Sequence, residues 1–216
     1  MRYLLVESKN RLTVTFVDFI PVLRTLGADV LEKHLAQCRR QIATLLSDPQ
    51  VFINLDDPHN LRVCEDTLNS CSLYLTQIAR VWHGVFSNTV FAKALGNIVA
   101  FLLDSIIRII LGTDDIREYD ANISAKLIAQ ILMKMEELFK FDNSKQSSIH
   151  RFVESQYFRL KEVLFCLNAS LLLIHSRWCS GKGPLAQWLQ PNELRHLIKA
   201  LFQASEQREK VLKIIG

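Results

Sequence analysis

At 216 residues the chain has room for one large domain or two small ones. Its 49% hydrophobic and 22% charged residues suit a chain that builds a core, which excludes disorder as the main state, and seven Gly with five Pro are too few for a many-stranded β fold. The net charge of +4 comes from 26 basic and 22 acidic residues scattered along the chain, not from the clustered Lys and Arg of a nucleic-acid-binding face, so direct nucleic-acid binding is not expected.

Residues 1–14 read as a leading segment, the end of a preceding helix. Its Leu4, Leu5, Val6 and Leu12 are candidates for exposed apolar surface if their partner helices lie in other sequence. The run Met1 to Glu7 is too short and too soon interrupted by an acid for a signal peptide. A first helix is predicted from Thr15 to Leu46, where Phe16, Phe19, Ile20, Leu23, Leu26, Val30, Leu31 and Leu35 recur mostly at threes and fours. Pro21 and Gly27 should kink or divide it. After a connector, Asp56-Asp57-Pro58 signals a second helix, about Asn60 to Val85, with Leu61, Cys64, Leu68, Cys71, Leu75, Ile78, Val81, Trp82 and Val85 as its stripe.

Ser87-Asn88 should cap a third helix that Gly112 ends, a usual place for positive φ. Its apolar run Ile98–Leu111 is shorter than the ~20 residues of a membrane span. Asp104 and Arg108, four apart, can pair on one face. A buried bundle helix is the expectation. Thr113-Asp114-Asp115 should open a fourth helix, followed by the polar linker Phe141–Ser148. A fifth helix is expected from about His150 to Trp178, and a sixth from Pro191 to Ile215. The sum is an all-α protein of long antiparallel helices joined by short loops. The subdivision that follows is 1–14, 15–145 and 146–216.

The candidate chemistry is thin. Gly181-Lys182-Gly183-Pro184 resembles a phosphate loop, but Ser176 stands where its first glycine should be, Gly183 follows the lysine, and a helix precedes it where a strand is required. A helix cap at Gly181, with Pro184 preventing continuation, accounts for the run. His34/Cys38 and His175/Cys179 each have the spacing of one helix face and together could supply four zinc ligands, so a small helical metal-binding or redox protein is the alternative reading. No cofactor is expected otherwise. The adjacent carboxylates Asp114-Asp115 and Glu136-Glu137 do not share a helix face and read as solvated positions. Five cysteines without repeated spacing suggest a reducing compartment, in which Asn122-Ile123-Ser124 and Asn168-Ala169-Ser170 are chance matches to the glycosylation triplet inside helices. The sixth helix places Leu194, Leu197, Ile198, Leu201, Phe202 and Leu212 on one side, with Ser205 in the same stripe. Arg195, Lys199, Arg208, Lys210 and Lys213 lie mostly outside it. Those basic residues with Phe202 form the candidate partner-binding set, where charge steers association with an acidic surface.

Arg177-Trp178, Gly181-Lys182-Gly183-Pro184-Leu185-Ala186 and Leu197-Ile198-Lys199-Ala200-Leu201-Phe202-Gln203 resemble the C-terminal region of the zeste-white-ten family of centromere/kinetochore proteins. Thr15-Phe16-Val17-Asp18 with Leu26-Gly27, Asn54-Leu55-Asp56-Asp57, Val81-Trp82 and Lys93-Ala94-Leu95-Gly96-Asn97 follow in the family's order. The likeness spans about Thr15 to Ile215, with departures from Asp115 to Ser148. The resemblance implies a non-enzymatic scaffold, built as a rod of stacked helical bundles of the multisubunit-tether type. It implies partners as well: a Rod-type helical-solenoid subunit and Zwilch at kinetochores, a tether-complex counterpart at the endoplasmic reticulum, and dynein/dynactin indirectly. Checkpoint signalling and Golgi-to-ER vesicle tethering are the implied processes. The implied locations are the cytoplasm, the mitotic kinetochore and spindle, and the periphery of the endoplasmic reticulum. The family's proteins are much longer, so the chain resembles a C-terminal portion of one.

Overall fold

The computed structural model describes residues 4–8, 11–15, 17, 19–140 and 149–215, the first two stretches without their side chains. The chain is all-α apart from one hairpin among the described residues. Strands β1 (Leu4–Ser8) and β2 (Arg11–Thr15) pair antiparallel, Leu4 opposite Thr15 and Ser8 opposite Arg11. This corrects the expected end of a helix. The alternation in Leu12-Thr13-Val14-Thr15, rich in β-branched residues, favours a strand. The surface expected at Leu4, Leu5, Val6 and Leu12 concerns side chains outside the described set.

Nine helices follow among the described residues: α1 Phe19–Leu45, α2 Pro58–His83, α3 Asn88–Leu111, α4 Glu118–Leu138, α5 Glu154–Asn168, α6 Leu171–Trp178, α7 Pro184–Trp188, α8 Pro191–Leu201 and α9 Glu206–Ile215. The chain divides into two compact units, residues 1–40 and 41–216. The boundary expected at 145/146 lies outside the described residues, and the helices on either side of it, α4 and α5, pack together within the second unit. Helix α1, whose last five residues belong to the second unit, is a single helix. Pro21 falls in its first turn, where no backbone donor is needed, and Gly27 does not divide it.

In the second unit, Asp57 caps α2 by accepting the His59 N–H at 2.7 Å, with Pro58 at the first helical position. The buried stripe of α2 runs Cys64, Leu68, Cys71, Leu75, Ala79 and Trp82, while Val81 and Val85 face outward. Helix α3 packs against α2, α5 and α8, so Ile98, Val99, Leu102, Leu103, Ile106 and Ile107 are fully buried on several sides. By length and composition this 24-residue helix suffices to cross a membrane, yet 61% of its most apolar window is covered by the chain's own core. Asp104 and Arg108 do pair, at 3.0 Å. Gly112 ends α3 as expected, but at φ −91°, with its N–H on the Arg108 carbonyl, so positive φ is not the reason.

Helix α4 starts at Glu118, later than expected. Thr113 turns its hydroxyl back onto the Ile109 carbonyl at 2.9 Å, and residues 113–117 run as a loop. The Ile116 N–H of that loop donates to the Ala200 carbonyl at 2.9 Å, tying it to the end of α8. Two helices expected to be continuous are broken. Residues 150–178 divide into α5 and α6 because Ala169 is extended and the Ser170 hydroxyl caps α6 on the Leu173 N–H at 3.4 Å. Asn168-Ala169-Ser170 is thus a helix junction, whereas Asn122-Ile123-Ser124 is helical. Residues 191–215 divide into α8 and α9 at an extended Phe202.

Candidate interaction surface

The C-terminal surface is built on an elbow. Helix α6 stops at Trp178, and Cys179, Ser180 and Gly181 follow with φ of 48°, 51° and 81°. The chain so reverses that the Gly183 N–H returns to the Trp178 carbonyl at 3.0 Å. A Cβ on Gly183 would overlap the Arg177 carbonyl oxygen, so only glycine fits. Pro184 then does more than prevent helix continuation: it opens α7 at the first helical position. The elbow is held from behind by Arg177, whose Nε and Nη2 each donate to Glu162 at 2.7 Å while its guanidinium lies over the Phe165 ring at 4.5 Å. Glu162, nearly buried, holds the Arg177 guanidinium above its ordinary pKa. Trp188 of α7 stacks on Phe158 at 5.3 Å. Glu193 accepts the Gln190 N–H at 3.0 Å, closing a capping box on α8, and also pairs with Arg159.

The candidate residues fall into three groups. Phe202 and Arg208 come together at the bend between α8 and α9. Arg208 Nη1 donates to the Phe202 carbonyl at 2.8 Å, Arg208 Nη2 reaches Glu209 at 3.3 Å, and the Arg208 N–H meets the Ser205 hydroxyl at 3.2 Å. Only 16% of the Arg208 side chain is exposed, so it clasps the bend and offers little charge to solvent, contrary to its expected steering role. Lys199 on α8 and Lys210 with Lys213 on α9 are exposed, as a steering surface requires; Arg195 is half-buried. They belong to two short helices, so the single basic face expected of one long helix does not exist. Phe202 is half-buried and lines a cleft of about 410 Å³ with Glu118, Asn122, Leu167 and Asn168.

The metal-site residues divide differently. His34 and Cys38 do lie one turn apart on α1, Nε2 to Sγ 3.9 Å. Cys179 does not share a helix face with His175, because it is the left-handed cap of α6. Among the described residues no three His, Cys, Asp or Glu side chains gather as a metal site. Burial pushes the Cys64 and Cys166 thiols up to about 12 and Cys71 to about 11, while Cys179 is exposed. Glu136 is more than a solvated carboxylate, since it accepts the Tyr157 hydroxyl at 2.6 Å.

One polar cluster escaped the sequence reading. Asp120, 1% exposed, accepts the Leu55 N–H at 2.7 Å, the Asn54 N–H at 3.2 Å and Arg117 Nε at 2.8 Å. Arg117 also bonds Asp56, holding that carboxyl below its usual range. The connector before α2 is thereby fixed to the start of α4. An acidic residue on the inward face of an amphipathic helix was the signal.

These helices match a known domain. Residues 66–215 match the ZW10 C-terminal helical domain. The chain belongs to that family. The matched span includes residues 115–148, the stretch in which the sequence departs from the family's pattern. Relatives extend it further: the centromere/kinetochore protein zw10 homologue of Caenorhabditis elegans is 31% identical over 95% of this chain and 29% of its own length. The homologue of Rattus norvegicus is 32% identical over 93% of the chain and 26% of its own length, and the zw10 protein of Drosophila grimshawi 26% identical over 91% and 26%. The chain thus spans between a quarter and a third of the length of these relatives.

Proposed function

We propose that the chain is a scaffold module of a kinetochore complex, docking a larger helical-solenoid subunit of the Rod type through the exposed lysines of α8 and α9. The observation that carries the reading is the ZW10 family match over residues 66–215, joined to relatives named centromere/kinetochore proteins. Lys199, Lys210 and Lys213 project from helices whose other sides are anchored by buried Leu194, Leu197, Ile198, Leu212 and Ile215, so the charges sit on a rigid base. Such surface charges set association rate and salt dependence more than packing. The module is non-enzymatic in this reading, consistent with thiols buried at Cys64, Cys71 and Cys166 and a Glu162 carboxylate engaged by Arg177. Participation with Zwilch, dynein recruitment, checkpoint signalling and a second role in a Golgi-to-ER tether at the endoplasmic reticulum belong to the same proposal.

The test is binding of purified chain to the Rod-type subunit at low and moderate salt. Removing residues from Pro191 onward would uncover core, so charge reversal is the cleaner perturbation. The triple variant Lys199→Glu, Lys210→Glu, Lys213→Glu should keep the wild-type helical circular dichroism and bind about tenfold or more weakly at low salt. Undiminished binding by a folded triple variant removes this surface from the proposal. Absence of binding by the wild-type chain ends the module reading.

A further inference from the structure

Helix α1 carries two apolar faces about a third of a turn apart. Toward its C-terminal end Leu35, Cys38 and Ile42, spaced three and four apart, are buried. Toward its N-terminal end Phe19, Leu23, Leu26 and Val30 repeat at four, three and four on a second side, with Val22 at one border and Ile20 flanking the stripe on the side of Cys38. These six side chains remain between 40% and 62% exposed. A contiguous exposed stripe of that kind marks an association site. It does not continue the core, because the two faces point roughly 120° apart on a helix of 3.6 residues per turn.

We propose that this stripe is an isologous contact with a second copy of the chain, two α1 helices crossing antiparallel. The spacing is that of a coiled-coil seam, and its residues complement themselves. Turned about a two-fold axis between Arg24 and Thr25, Leu23 meets Leu26 of the second copy and Phe19 meets Val30, giving four apolar layers in succession. Every layer of the seam finds an apolar partner in that register. The next seam positions toward the C-terminus are Lys33 and Gln37, which end the stripe on both copies. Gly27 faces open space beside Leu26 and leaves room for close approach. The exposed area of the six side chains is about 600 Å² per copy, so the contact buries at most about 1,200 Å² in total, the lower limit for specific interfaces. The dimer is therefore weak and concentration-dependent. This inference is independent of the partner surface on α8 and α9.

Analytical ultracentrifugation of the full chain tests it. The wild type should move from monomer to dimer as concentration rises through tens of micromolar. Leu26→Glu, at a site 57% exposed, should remain monomeric throughout with unchanged circular dichroism. In a Cys179→Ser background, a mixture of Leu23→Cys and Leu26→Cys chains should form the crossed disulfide. Lys33→Cys chains should not cross-link with each other, since antiparallel pairing places those sites about 25 Å apart at 1.5 Å per residue. A wild type that stays monomeric at several hundred micromolar, a Leu26→Glu dimer of wild-type strength, or a Lys33→Cys cross-link would each overturn the proposal.

Discussion

Replacing Gly183 by alanine should damage the elbow more than its one added methyl suggests. The new Cβ would overlap the Arg177 carbonyl oxygen and lie 2.9 Å from the Arg177 carbonyl carbon and 3.0 Å from that of Trp178. These neighbours are backbone atoms, so no side-chain rotation relieves the contact; the chain must move by about 1 Å. Moving it strains the 3.0 Å hydrogen bond from the Gly183 N–H to the Trp178 carbonyl, worth about 1 kcal/mol. It also presses on Trp178, 5% exposed, and Leu185, fully buried, where overpacking costs about 1–3 kcal/mol. The sum is about 2–4 kcal/mol, a fall in melting temperature of about 4–16 °C for a chain of this size. The proper control is Gly181→Ala. Its φ of 81° penalises a Cβ by about 1–2 kcal/mol, but nothing lies within 4 Å of the added methyl. Thermal unfolding followed at 222 nm on both variants decides the matter. If Gly181→Ala melts lower than Gly183→Ala, the steric account of the elbow is wrong and the left-handed backbone governs it.

Asp120→Ala should destabilise by about 2–4 kcal/mol in a urea titration, because the Leu55 and Asn54 N–H groups lose their acceptor in a covered site. Asp56→Ala, at an exposed carboxylate of the same network, should shift the midpoint far less; equal shifts would show that the buried acceptor is not what holds the connector. A disulfide-exchange reagent at pH 8 should label one thiol quickly, Cys179, and the other four only after unfolding. Cys64, Cys71 and Cys166 are buried with pKa values near 11–12, and Cys38 is 1% exposed. Two fast-reacting thiols in the native chain would contradict the burial of these cysteines on α1, α2 and α5.

The presence of the main helices was legible because each carries a long apolar stripe at the helical period, and α3, apolar on several sides, reads as the helix that others surround. The N-terminus of α2 was legible for a sharper reason, since Asp57-Pro58 combines a cap acceptor with a residue pre-set for the first turn. The breaks were not. Ser170 and Ser205 each interrupt an apolar stripe that could continue on either side, and a serine inside such a stripe looks the same whether it caps a helix or merely sits in one. What decides between them lies far away in sequence or in the next turn: Glu162 receiving Arg177, or Arg208 reaching back to the Phe202 carbonyl. The hairpin escaped because the alternation in β2 covers only four residues, Leu12 to Thr15, and β1 opens on the unbroken apolar run Leu4-Leu5-Val6.

The break at Phe202 separates two roles that a single helix would have merged. Were residues 191–215 continuous, Phe202 would extend the buried stripe, and Arg208 would join Lys210 and Lys213 as one more exposed charge. The bend instead exposes the Phe202 carbonyl, which would otherwise accept from the helix, and Arg208 satisfies it from the first turn of α9. Its guanidinium is thereby withdrawn from solvent, while Lys199, Lys210 and Lys213 stay available. The bend also carries the Phe202 ring to the wall of a cleft formed with the other unforeseen junction, Asn168 to Ser170, and with the first turns of α4. Both breaks therefore converge on one place, which the Ile116 to Ala200 hydrogen bond fixes from the α4 side. The exposed lysines of α8 and α9 thus stand beside a braced corner, and the bracing residue among the basic set is Arg208.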